Sequence, residues 1–202
     1  MLKGQNSLTR EQMIYMEGGY MRIETKILDT QYEEKVEMAY FGDYISLDSK
    51  NAVNSAKQNI ASQADNDYFD GRVTFWVNGE LFFEEKTTDL TGLWLNLISF
   101  KENMNDKGMT EVCFLDSVRT LFIIGTPVGY QLKYQGVHYT FNDRDELIHS
   151  EPFTVESKQI EKEKFEQAIR KGFKEYHNFV VKNKLPISSY QLEKLINQKC
   201  EE

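Results

Sequence analysis

The residue types that most often carry chemistry are sparse in this sequence. Its 202 residues include three histidines, His138, His149 and His177, and two cysteines, Cys113 and Cys200. The sequence contains neither the paired histidines of a zinc helix nor a Cys-x-x-Cys knuckle, so we expect no metal site and no cofactor. Cys113 alternates with apolar neighbours in a strand-like run, which predicts a thiol packed in the core rather than a nucleophile.

Other catalytic patterns are equally weak. Residues 125–129 read Gly-Thr-Pro-Val-Gly, but strand-like runs flank them, and proline lacks the backbone N–H that a phosphate cradle needs. We interpret this segment as a connection between strands. Neither a Gly-x-Ser-x-Gly elbow nor a Ser-x-x-Lys pair occurs. The sequence therefore predicts a protein that is not an enzyme.

Acidic side chains supply the candidate recognition residues. Asp143, Asp145 and Glu146 form the tightest acidic cluster, in a turn expected at residues 142–146. Glu84 and Glu85 lie at the end of the hairpin that the sequence predicts at residues 72–86. Acidic loops at strand ends either shape a turn or form part of a recognition surface, and we take all five as candidate partner-binding residues.

The charge distribution indicates the kind of partner. The net charge is −8, with −11 over residues 21–156 and +3 over residues 157–202. An acidic body disfavours nucleic acid and anionic membranes and favours a basic protein. No apolar run approaches the roughly 20 residues that cross a bilayer. Two isolated thiols suit a reducing compartment, so we predict a cytoplasmic protein.

Hairpins dominate the predicted structure. Asn78 and Gly79 form the dipeptide of a type I′ turn within residues 72–86, which would place Trp76 opposite Leu81. By the same register Phe75 would face Phe82, and both faces of this hairpin would be covered. Residues 111–115 and 118–124 form a second predicted hairpin.

A third predicted hairpin joins residues 130–134 to residues 137–141 through Gln135 and Gly136. Its alternation places Tyr134, Tyr139 and Phe141 together on one apolar face.

Helical periodicity completes the predicted fold. An inserted helix is expected at residues 89–104, with Asp89 as its N-cap, and a weaker one at residues 51–63. Two C-terminal helices are expected at residues 157–183 and 188–199, packed together on one face of the sheet. Successive hairpins with these helices predict an α+β fold with a largely antiparallel sheet.

Residues 21–202 are expected to form a single domain, preceded by a non-native or disordered extension at residues 1–20. Glu17, Gly18 and Gly19 translate back to a purine-rich, ribosome-binding sequence just before Met21, which would make Met21 the natural start. An amphipathic helix at residues 9–16 is the competing interpretation.

The segment from Asp70 to Leu81, Asp-Gly-Arg-Val-Thr-Phe-Trp-Val-Asn-Gly-Glu-Leu, resembles the small bacterial immunity proteins of polymorphic-toxin systems, the WapI-like families. The helix with Leu93 and Trp94 and the helix around residues 165–179 extend this similarity of pattern. The resemblance implies a non-enzymatic binder that neutralises a cognate toxin, and no site residues are carried over. A basic nuclease toxin would suit the acidic body.

Two alternatives stay open. One is a module that binds a small ligand in a pocket between sheet and helices, lined by Tyr130, Tyr139 or Trp94. The other is an enzyme whose site is dispersed along the chain, in which clustered carboxylates would have raised pKa values. The oligomeric state is not predicted.

Overall fold

The computed structural model describes residues 20–30, 43–63, 66–115 and 117–198 of the chain. The predicted N-terminal extension, apart from Tyr20, and Cys200 lie outside these residues. The chain forms the α+β fold with antiparallel sheets that the sequence predicts. The strands of the described residues divide into two sheets rather than one.

The first sheet has four strands. They are β1 (Met21–Leu28), β2 (Tyr44–Ser46), β3 (Gly71–Val77) and β4 (Glu80–Thr87). Their order is β2–β1–β3–β4, so β3 is central and β4 lies at an edge. The expectation that both faces of the β3–β4 hairpin are covered is wrong, because Leu81 on β4 is 55% exposed.

The turn between β3 and β4 has the predicted geometry. Asn78 and Gly79 have φ values of 56° and 81°, the positive values that a type I′ turn requires. Trp76 pairs with Leu81 as expected. The Asn-Gly signal thus fixes both the position of the hairpin and the first step of its register.

A β-bulge changes the register after that step. Phe75 pairs with Phe83 rather than with Phe82, because β4 has one extra residue at this point. The rings of Phe75 and Phe83 stack with their centroids 4.5 Å apart. The bulge moves Phe83 into the core and turns Glu85, two residues further along β4, towards the same side.

The second sheet has five strands. They are β5 (Met109–Cys113), β6 (Thr120–Thr126), β7 (Gly129–Phe141), β8 (Leu147–Glu156) and the short β9 (Ile160–Glu161). Their order is β5–β6–β7–β8, and β9 pairs with the start of β7. The segment at residues 125–129 connects β6 to β7 as predicted.

The hairpin predicted at Gln135 and Gly136 is wrong, because β7 runs through both residues without a break. A Cβ on Gly136 would lie 2.6 Å from Cγ of Arg119 and 3.2 Å from Cε1 of Phe153. Glycine is therefore required here for the close approach of two side chains and not for a turn. The turn lies at residues 142–146, between β7 and β8.

The continuity of β7 changes which residues face the core. Side chains alternate along an unbroken strand, so Tyr139 and Phe141 lie on the face opposite to Tyr134. Tyr134 is 5% exposed, whereas Tyr139 and Phe141 are 46% and 55% exposed. The single apolar face predicted for these three residues is therefore wrong.

The described residues include four helices that accompany the sheets. They are α1 (Ala52–Ala61), α2 (Leu90–Ile98), α3 (Lys162–Lys182) and α4 (Ser189–Asn197). The Asp89 carboxylate accepts a hydrogen bond of 2.7 Å from the backbone N–H of Gly92, which confirms the predicted N-cap of α2. The helices α2 and α3 are shorter than predicted, since turns follow Ile98 and the strands β8 and β9 occupy residues up to Glu161.

The core joins the first sheet to α2 and α3. Trp94 on α2 is fully buried, and its indole N–H donates to Oγ1 of Thr25 on β1 at 3.1 Å. The hydroxyls of Thr91 and Tyr176 share a buried hydrogen bond of 2.6 Å between α2 and α3. Gly172 on α3 lies against the Trp94 ring, where any larger residue would overlap it.

Candidate partner-binding surface

The second sheet extends beyond the body of the protein as a two-stranded ribbon. The pairing of β6 with β7 ends at Gln135, so residues 136–141 of β7 pair only with β8. We call residues 136–153 the β7–β8 arm. Every residue from His138 to Pro152 is exposed except Asn142, which is partly exposed. Within the described chain, residues 138–152 of the arm form a ribbon of two exposed strands, whereas Phe153 at its base packs against the core.

One face of the arm is apolar. The cross-strand pairs Val137–Pro152 and Phe141–Leu147 lie on this face together with Tyr139. The rings of Tyr139 and Phe141 have their centroids 6.4 Å apart, and Leu147 is 54% exposed. Large apolar side chains that cluster on a surface mark interaction sites more often than isolated ones do.

The acidic turn at the tip of the arm is organised by Asn142. Its Oδ1 accepts backbone N–H groups of Arg144 and Glu146 at 2.9 and 3.0 Å, and its Nδ2 donates to the Glu146 carboxylate at 2.8 Å. Asp145 adopts a positive φ of 58°. Asp143 and Asp145 are exposed, and neither carboxylate forms an ion pair with another described residue. The predicted acidic cluster therefore occupies the end of the apolar face.

Glu84 and Glu85 lie elsewhere, on β4 of the first sheet. Glu84 is exposed and forms an ion pair of 2.7 Å with Arg72, and it also accepts a hydrogen bond of 3.0 Å from the Thr74 hydroxyl. Glu85 is 7% exposed and faces inward. The structure thus separates these two candidates from the three acids of the arm, and only Glu84 has an exposed carboxylate.

Glu85 joins the two sheets. Its carboxylate accepts hydrogen bonds from Arg119 Nη1 at 2.9 Å, from the hydroxyl of Ser117 at 3.4 Å, and from the hydroxyl of Tyr134. Burial, and then the hydrogen bond to Glu85, raise the pKa of Tyr134, while the bond to Glu85 raises the pKa of Arg119. The Tyr134 phenol therefore stays protonated at neutral pH, and the Arg119 guanidinium stays charged.

The residues that could act as a nucleophile or as metal ligands do not form a cluster among the described residues. Cys113 is exposed, which contradicts its predicted place in the core, because Val112 and Phe114 take the buried positions of that run. Burial of part of the thiol, and then its bond to Glu111, raise the Cys113 pKa, so the less reactive protonated form predominates. Among the described residues no group of three or more His, Cys, Asp or Glu side chains is arranged to hold a metal ion.

The aromatic residues considered for a ligand pocket also occupy separate places. Trp94 is fully buried between β1 and α3. Tyr130 is 6% exposed and donates to the Glu166 carboxylate at 3.1 Å, and burial raises its pKa to about 12. Tyr139 lies on the arm. These three side chains do not converge.

Comparison of the chain with protein-family models, with curated proteins and with solved structures gives no match. Within the described residues, no helix has the length and apolar character that would let it span a membrane.

Proposed function

We propose that this chain is a non-enzymatic, cytoplasmic protein-binding protein that contacts its partner through the β7–β8 arm. The partner we favour is a basic toxin that the chain neutralises. The observation that carries the proposal is the apolar face of the arm, formed around Tyr139, Phe141 and Leu147, with the acidic turn at its end. An isolated two-stranded ribbon is at best marginally stable in water, so contact with a partner would stabilise this part of the chain.

Burial of the exposed apolar side chains of the arm would contribute free energy to binding a partner. Tyr139, Phe141 and Leu147 each have about half of their surface still exposed, at 46%, 55% and 54%. Burying the remainder contributes about 1 kcal/mol for each side chain, since full burial of a large apolar side chain contributes roughly 1.5–3 kcal/mol. Aromatic side chains are also enriched among the residues that dominate binding energy.

The acidic turn would act mainly on the rate of association. Asp143 and Asp145 project from the tip, where they meet an approaching molecule first. Opposite charges steer a partner towards the correct face and exclude partners of the same sign. A basic toxin therefore fits both the arm and the overall charge of −8.

The proposal is tested by co-expressing the chain with the toxin-like proteins encoded beside it in its own genome. We expect protection of the host cell by the natural chain and loss of protection by the double variant Tyr139→Ser and Phe141→Ser. From about 2 kcal/mol of lost burial, the dissociation constant of the purified complex should rise about thirtyfold.

A matched control replaces two apolar residues of similar exposure outside the arm. Leu81 and Val128 are 55% and 64% exposed, and Leu81→Ser with Val128→Ser should leave protection and affinity unchanged. Both double variants should keep the thermal stability of the natural chain, because exposed substitutions change stability by about 0.5 kcal/mol or less. Equal effects of the two double variants on binding would refute a role for the arm.

A further inference from the structure

A second surface, on the first sheet, has the opposite charge. The strand β2 pairs with β1 only at Lys26, Ile27 and Leu28. Opposite residues 21–25 of β1, no strand of the described chain pairs on that side, although β3 pairs along the other side. Among the described residues, about 17 Å of this strand edge therefore has no partner strand, at roughly 3.3 Å per residue.

This open edge lies in a groove between β1 and α3 with a volume of about 1230 Å³. Seven consecutive residues of the chain, 20–26, line the groove. Alternate residues of a strand point to opposite faces, so a groove lined by consecutive residues faces the edge of the strand. The opposite wall is α3, from Lys164 to Lys182. We call this feature the β1–α3 groove.

Basic side chains dominate the β1–α3 groove. They are Arg22, Lys26, Lys164, Arg170, Lys171, Lys174 and Lys182, against the acids Glu24, Asp48 and Glu175. Arg22 is paired with Glu24 at 2.8 Å, and Arg170 with Glu166 at 3.5 Å. Lys171 and Lys174 are exposed and form no ion pair with any other described residue. A chain of net charge −8 thus concentrates positive charge beside its open strand edge.

We propose that the β1–α3 groove binds an extended acidic peptide segment of a partner protein, which adds to the first sheet as a strand beside residues 21–25. Addition of a strand to an open edge gives affinity through main-chain hydrogen bonds and specificity through alternate side chains. The peptide would direct one set of side chains towards the apolar part of the groove, at Ala168 and Phe179, and the other set towards the lysines.

Two other occupants fit the groove less well. A nucleic acid would meet the lysines, but its backbone cannot pair with the N–H and C=O groups of a strand edge, and the chain as a whole is acidic. A second copy of this chain could offer the edge strand β4 or the arm, but two chains that each carry a net charge of −8 repel one another. An acidic peptide satisfies both the edge and the charge. This site is independent of the arm, so the proposal goes beyond the function proposed above.

The test uses the full chain and a fluorescein-labelled nine-residue peptide in which glutamate alternates with valine. Fluorescence anisotropy should show saturable binding, and the same peptide with lysine in place of glutamate should bind at least about tenfold more weakly. The double variant Lys171→Glu and Lys174→Glu should weaken binding of the acidic peptide about tenfold or more. The control variant Lys57→Glu and Lys158→Glu changes net charge equally at exposed positions outside the groove and should alter binding less than about threefold.

Hydrogen exchange of the complex locates the peptide. Slower exchange of those amides of residues 21–25 that do not pair with β3 supports strand addition, whereas protection confined to β4 or to the arm overturns it. Absence of binding by the acidic peptide, or equal affinity for the lysine peptide, also overturns the proposal. Tighter binding of a nine-nucleotide oligothymidine would assign the groove to nucleic acid instead. Self-association of the natural chain that Lys171→Glu and Lys174→Glu abolish would assign it to a second copy.

Discussion

Replacing Glu85 by glutamine should destabilise the protein, because it removes the negative charge that pairs with Arg119 where the two sheets meet. The variant retains the size and one acceptor oxygen of the side chain but removes the negative charge that faces Arg119 and Tyr134. The hydroxyl of Tyr134 is buried together with Glu85, whose side chain is 8% exposed. The substitution therefore removes a partly buried ion pair with Arg119 and weakens the hydrogen bond from Tyr134.

The burial of Glu85 and Arg119 sets limits on the expected loss of unfolding free energy. Removing one partner of a fully buried ion pair costs about 3–5 kcal/mol, whereas an exposed pair contributes only about 0–1 kcal/mol. The Arg119 side chain is 35% exposed, so water solvates its guanidinium once Glu85 is gone. We expect Glu85→Gln to lower the free energy of unfolding by about 2 kcal/mol, between those limits.

The neighbouring residue supplies a matched control. Glu84 faces the other side of β4 and pairs with Arg72, with 34% of its side chain exposed. Glu84→Gln should lower the free energy of unfolding by about 0.5 kcal/mol. Urea unfolding followed by tryptophan fluorescence and circular dichroism gives both values, and the same scan of Tyr134→Phe and of Glu85→Gln with Tyr134→Phe completes a double-mutant cycle.

The cycle isolates the contact between Glu85 and Tyr134. Because a hydrogen bond to a charged group contributes about 1.5–3 kcal/mol, the two substitutions should couple by about 1 kcal/mol or more. Additivity within about 0.5 kcal/mol would show that Glu85 and Tyr134 act independently. Equal destabilisation by Glu84→Gln and Glu85→Gln would refute the argument that burial distinguishes the two acids.

Two further predictions concern α2 and α3. Gly172→Ala should lower the free energy of unfolding by about 1 kcal/mol, measured by urea unfolding, since overlap with the Trp94 ring costs about 1–3 kcal/mol and the gain in helix propensity offsets about 1; a stabilised variant would contradict this packing. Asp89→Ala should cost about 1 kcal/mol and Asp89→Asn much less, because asparagine keeps the cap to Gly92. Burial raises the Asp89 pKa, so its charged form is disfavoured in the folded state. The stability of the natural chain relative to Asp89→Asn should therefore rise as pH falls from 7 to about 4, and a fall would contradict the assignment.

Local signals in the sequence were sufficient where one short motif determines the geometry. Asn78 and Gly79 predict their turn because few other dipeptides adopt positive φ twice in succession. Asp89 predicts the start of α2 because its carboxylate reaches the backbone N–H of Gly92. Neither feature depends on a distant part of the chain, and the structure confirms both.

The arm could not be predicted because its exposure depends on where other strands end. Tyr139 and Phe141 have the alternation of a core strand, and only the end of the β6 pairing at Gln135 leaves them outside the core. Gly136 suggested a turn, although its lack of a side chain serves the approach of Arg119 and Phe153. A shift of one residue in the alternation then reversed the expected face of Tyr139 and Phe141.

The acidic candidate residues also show that the sequence predicts local turns but not the effects of strand pairing. The sequence placed Asp143, Asp145 and Glu146 in a turn, where the structure has them, because turn residues are specified locally. It could not distinguish Glu84 from Glu85, since the β-bulge that turns Glu85 inward depends on the pairing of β3 with β4. Likewise the β1–α3 groove brings Arg22 and Lys26 of β1 beside the lysines of α3, and this proximity depends on how α3 packs against β1.

The β7–β8 arm and the β1–α3 groove share one physical property. In the part of the chain that the structure describes, the first sheet has a strand edge without a partner strand, and the second sheet has an exposed apolar face. An uncovered edge or apolar face exposes a protein to aggregation unless charge limits what can reach it. The acids at the tip of the arm and the lysines along the β1–α3 groove are opposite in sign, so the partners they admit are different. The placement of charge beside each exposed strand is therefore the reason to regard both surfaces as binding sites rather than as unprotected ends of the sheets.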